Sequence, residues 1–90
     1  MKIKVLEPQR VIYSAETREI TIDYNGRELI IRQAEDDNGG DNIVFIDNNW
    51  VSSYKLEDEE FKTVVNTICA NIREDIFDKK GEIDLSEYLD

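Results

Sequence analysis

Histidine is absent from the chain. The side chain that most often acts as general acid, general base or metal ligand near neutral pH is therefore missing. The single cysteine, Cys69, excludes an internal disulfide and suits a reducing compartment. It falls beside an apolar helical stripe, where a thiol packs rather than attacks. No Gly-x-Gly-x-x-Gly or other phosphate-binding loop occurs, so no nucleotide cofactor is expected. No apolar run approaches the roughly 20 residues that a membrane helix needs. The opening residues, Met1-Lys2-Ile3-Lys4-Val5-Leu6-Glu7, meet a charge at once, unlike the apolar stretch of a secretion signal. These absences point to a cytoplasmic protein that is not an enzyme, needs no metal or cofactor and does not engage a membrane.

Carboxylates are what the chain has in excess. Twenty-one acidic side chains against 11 basic ones leave a net charge of −10. The excess is lopsided. Residues 1–34 hold six basic and five acidic groups, whereas residues 35–90 hold five basic and 16 acidic ones. Such a field repels nucleic-acid phosphates and attracts cationic partners. It also keeps a small protein in solution, whatever else it does.

Ninety residues at 40% hydrophobic content suffice for one modest core, so a single domain over 1–90 is expected. Residues 2–7 alternate charged and apolar, the period of a half-buried strand, and Pro8 should end it or confine it to an edge. Residues 10–14 read as a second strand and Ala15-Glu16-Thr17 as the turn leaving it. From Arg18 to Tyr24, Ile20, Ile22 and Tyr24 share one face. Asn25-Gly26 follows, the pair best suited to positive φ at both central positions of a type I′ turn. A two-residue loop there sets Tyr24 opposite Arg27, Ile22 opposite Leu29 and Ile20 opposite Ile31, so the apolar side chains fall on the same side of both strands. Turn chemistry and hydrophobic pattern agree without adjustment.

Residues 35–42 are polar and glycine-containing and read as a loop. The oxygen-rich Asp36–Asn42 stretch matches no defined cation site. Ile43–Ile46 has strand length, Asp47-Asn48-Asn49 turns the chain, and Trp50–Tyr54 forms a last strand. From about residue 56 the period changes. Phe61, Val64, Val65, Ile68 and Ile72 form one helical stripe, with Glu57, Asp58, Glu59 and Glu60 in the favourable first turn. Burying these five apolar side chains contributes roughly 1.5–3 kcal/mol each before entropy is subtracted. The helix should end between Glu74 and Lys80.

The expected fold is thus α+β. An N-terminal antiparallel sheet of about four to six strands (1–54) packs against one long amphipathic helix within a helical part (56–90). Asp84 and Glu87 have capping-box spacing, which suggests a short terminal helix over 85–89.

The segment Gly81-Glu82-Ile83-Asp84-Leu85-Ser86-Glu87 resembles the second half of an EF-hand calcium loop, with glycine sixth, Asp ninth and Glu twelfth. The first half departs from that pattern. Ile76 stands at the first ligand position and Lys80 at the fifth, so a glycine turn and an Asp-capped helix start are expected instead of a metal site.

Two functions from different classes lead, with a degenerate calcium-responsive segment over 76–87 as a third. The first is a small acidic binding protein that engages a basic protein surface. Inhibitors and immunity-type proteins that mimic nucleic acid belong to this class. Glu57, Asp58, Glu59, Glu60, Glu74 and Asp75 would make the contacts. The second is a structural or assembly module that homodimerises or docks into a larger complex through Trp50 or a strand edge near Pro8. Trp50, Tyr13, Tyr24 and Tyr54 are the aromatic candidates, because aromatics anchor interfaces as readily as they fill small cores.

Overall fold

The structure, a computed structural model, describes residues 2–12, 14–34, 42–46, 49–52 and 56–88. The Asp36–Asn42 stretch up to Asp41, Tyr13, Tyr54 and the turn residues Asp47 and Asn48 lie outside them. The architecture is α+β. Strands β1 (Lys2–Ile12), β2 (Ser14–Tyr24), β3 (Arg27–Ala34), β4 (Asn42–Ile46) and β5 (Asn49–Ser52) precede helix α1 (Glu59–Asn71). A 3-10 turn (Asp75–Asp78), strand β6 (Gly81–Asp84) and a second 3-10 turn (Leu85–Tyr88) follow. All pairings are antiparallel, in the order β5-β4-β3-β2-β1-β6.

The β2–β3 hairpin has the register that its turn chemistry dictates. Tyr24 pairs with Arg27, Ile22 with Leu29 and Ile20 with Ile31. Asn25 and Gly26 both have positive φ, 54° and 81°, and Asp23 Oδ1 accepts a 3.0 Å hydrogen bond from the Gly26 amide. Ile20, Ile22, Leu29 and Ile31 are at most 1% exposed. They meet Ile3 and Val5 of β1, Val44 of β4, and Val64, Val65, Ile68 and Ile72 of α1 in a single cluster. Alternation along each strand leaves the opposite sheet face without the helix.

Three local expectations differ from the structure. Pro8 does not end the first strand, since β1 runs unbroken from Lys2 to Ile12, but it does lie at an edge, because among the described residues β6 pairs only with Lys2–Val5. Its ladder with β2 shifts register between Val5 and Glu7 and again between Glu7 and Arg10. Bulged strands leave residues outside the ladder, so a missing proline N–H costs no hydrogen bond there. The following reversal also comes earlier than Ala15-Glu16-Thr17. Ile12 pairs with Ser14, and Thr17 already faces Ala34 within the β2–β3 ladder.

The third difference is at the helix end. α1 stops at Asn71, before the Glu74–Lys80 interval. At about 100° per residue, Phe77 would lie about 160° from Phe61 on a continued helix, on the wrong side. Phe77 is fully buried. Breaking the helix after Asn71 lets both Ile72 and Phe77 reach the core. The chain then returns as β6, paired to Lys2–Val5 of β1. The helical part expected over 56–90 therefore contains a strand, β6, where a glycine turn was expected. The short terminal helix is present as the 3-10 turn Leu85–Tyr88, and Asp84 Oδ1 accepts the Ser86 amide at 2.9 Å.

Replacing Gly26 by alanine forces a Cβ into left-handed backbone, although no atom lies within 4 Å of it. The expected loss is about 1–2 kcal/mol, read as a lower denaturant midpoint with an unchanged slope.

Candidate binding surfaces

The acidic candidates divide into two groups. Glu57, Asp58, Glu59 and Glu60 are exposed at the start of α1. Helix begins at Glu59, so Glu57 precedes it and Asp58 is its N-cap rather than a first-turn residue. Asp58 Oδ1 accepts the Phe61 amide at 3.0 Å, because a short carboxylate satisfies an orphan N–H that would otherwise face water. Glu59 and Glu60 do occupy the first turn. Glu74 and Asp75 are exposed but not on α1: Glu74 precedes the first 3-10 turn and Asp75 opens it.

The helix places these groups about 20 Å apart along its axis. Between them its exposed positions are Thr63, Asn66 and Ala70, all uncharged. The structure therefore brings the four N-terminal carboxylates together and leaves Glu74 and Asp75 at the far end.

Within the N-terminal group, Glu60 has a support that the sequence did not reveal. Tyr24, 6% exposed at the end of β2, donates its hydroxyl to Glu60 Oε1. Its ring stands 6.3 Å from that of Phe61, tilted by 50°. The hydrogen bond to Glu60, reinforced by burial, pushes the Tyr24 phenol up to about 12. Tyr24, Asn25, Arg27, Asp58, Glu60 and Phe61 line a cleft of about 150 Å³ beside the hairpin turn. The hairpin turn thus abuts the acidic helix start.

Trp50 belongs to neither group. It pairs with Phe45, whose neighbour Val44 is wholly buried toward the helix, so Phe45 and Trp50 point to the other face. There Trp50 is 65% exposed. The cross-strand row continues from Phe45 to Ile30 and Thr21. The guanidinium of Arg32 lies 4.7 Å from the Phe45 ring centroid, within cation–π range.

Beside this row sits Glu19, only 6% exposed, held by Arg10 at 2.8 Å and Arg32 Nε at 2.5 Å. Burial by itself raises the Glu19 pKa. The two guanidinium hydrogen bonds and charges outweigh it and hold the carboxyl below the usual carboxylate range. Cys69 is buried, which pushes its thiol up to about 12 and opposes thiolate chemistry.

The calcium-loop resemblance does not survive folding. Gly81–Asp84 is extended and paired with β1, with Gly81 opposite Val5 at φ 129°. Asp84 is engaged by Ser86. Among the described residues no group of three or more His, Cys, Asp or Glu side chains is placed to hold a metal ion. Among them, too, no helix is long and apolar enough to cross a membrane.

Comparison with protein-family models, curated protein sequences and solved structures yields no significant match.

Because the Glu19 pKa is lower folded than unfolded, its stabilisation is fully present above the unfolded value and is lost as pH falls through the folded one. Glu19→Gln should flatten that acid limb. At neutral pH it should cost roughly 1–2 kcal/mol, the lower part of the range for charged hydrogen bonds, since solvent screens Arg10. Thermal or urea unfolding of both proteins between neutral and acid pH measures this.

Proposed function

We propose that this domain is a non-enzymatic binding protein that takes a basic protein surface against the start of α1. The observation that carries this reading is the run Glu57, Asp58, Glu59 and Glu60. These are four consecutive exposed carboxylates on a packed helix start, two of which line the Tyr24–Phe61 cleft. Charges held as Asp58 and Glu60 are lose little side-chain entropy on binding, and the whole run steers a cationic partner from a distance. The inhibitor or nucleic-acid-mimic form of this reading is narrower, because uncharged Thr63, Asn66 and Ala70 interrupt any file of carboxylates along the helix. In that form, the helix start occupies the place of a few phosphates rather than a long strand.

A second reading, an assembly module, is favoured by one observation: Trp50 is 65% exposed on the sheet face that α1 leaves uncovered. Large apolar side chains exposed beside others mark contact surfaces more often than isolated ones do.

A labelled oligolysine peptide tests the first reading. It should bind with an affinity that falls steeply as salt rises. The pair Glu57→Lys and Glu59→Lys, which spares the Asp58 cap and the Tyr24–Glu60 bond, should weaken binding by roughly three- to tenfold. Affinity indifferent to both salt and charge reversal contradicts it.

A further inference from the structure

We draw no further inference here: the strongest candidate, the apolar row of Ile30, Phe45 and Trp50 on the sheet face away from α1, carries nothing because nothing in the structure shows what covers it.

Discussion

The register of the β2–β3 hairpin is the constraint on which the remaining structure depends. Asn25 and Gly26 supply the two positive φ values of a tight turn, and that turn sets Ile20 and Ile22 against Ile31 and Leu29. A slip of one residue would turn one strand's pair of these side chains to the opposite face and take half of this apolar surface away from α1. Because the register is fixed, the two sheet faces acquire different roles. One buries the stripe of α1. The other carries Glu19 between its arginines, and the row from Trp50 through Phe45 to Ile30.

The same hairpin organises the acidic end of the molecule. Tyr24 closes β2 at the turn, is covered by Phe61, and reaches Glu60 with its hydroxyl. A strand end thereby positions a carboxylate that helix propensity alone would leave mobile. Asp58 fixes the first turn from the other side by accepting the Phe61 amide. The excess of negative charge is a property of composition, but its firm presentation at the start of α1 comes from packing. At the far end of the helix, Glu74 and Asp75 follow a break enforced by the need to bury Phe77.

Much of this was legible in the residues. The α+β class, the hairpin with its three named pairs, the helical stripe from Phe61 to Ile72, and the cap at Asp84 all follow from periodicity and turn chemistry. What was not legible depended on competition between local and distant preferences. Pro8 reads as a terminator or an edge position, and bulges carry β1 past it where β6 no longer pairs. The helix pattern fades near Asp75, but only the core's claim on Phe77 places the break after Asn71. Ile83, between Glu82 and Asp84, alternates like a strand, yet its partner lies some 80 residues earlier at Ile3. For the sites, residue type identified the carboxylates and Trp50 as candidates. Only the sheet order separates them onto different surfaces, and only tertiary contact reveals Tyr24 as the support of Glu60.

The domain thus presents two surfaces of unlike chemistry, an acidic helix start and an uncovered sheet face with an aromatic row, held apart by one sheet. The most direct test of that separation is a set of proton–proton nuclear Overhauser contacts in solution. The account predicts contacts between the Tyr24 and Phe61 rings and between the Trp50 indole and Phe45, and none between Trp50 and any residue of α1. Contacts from the Trp50 indole to Val64, Val65 or Ile68 would place it on the helix side and contradict the account.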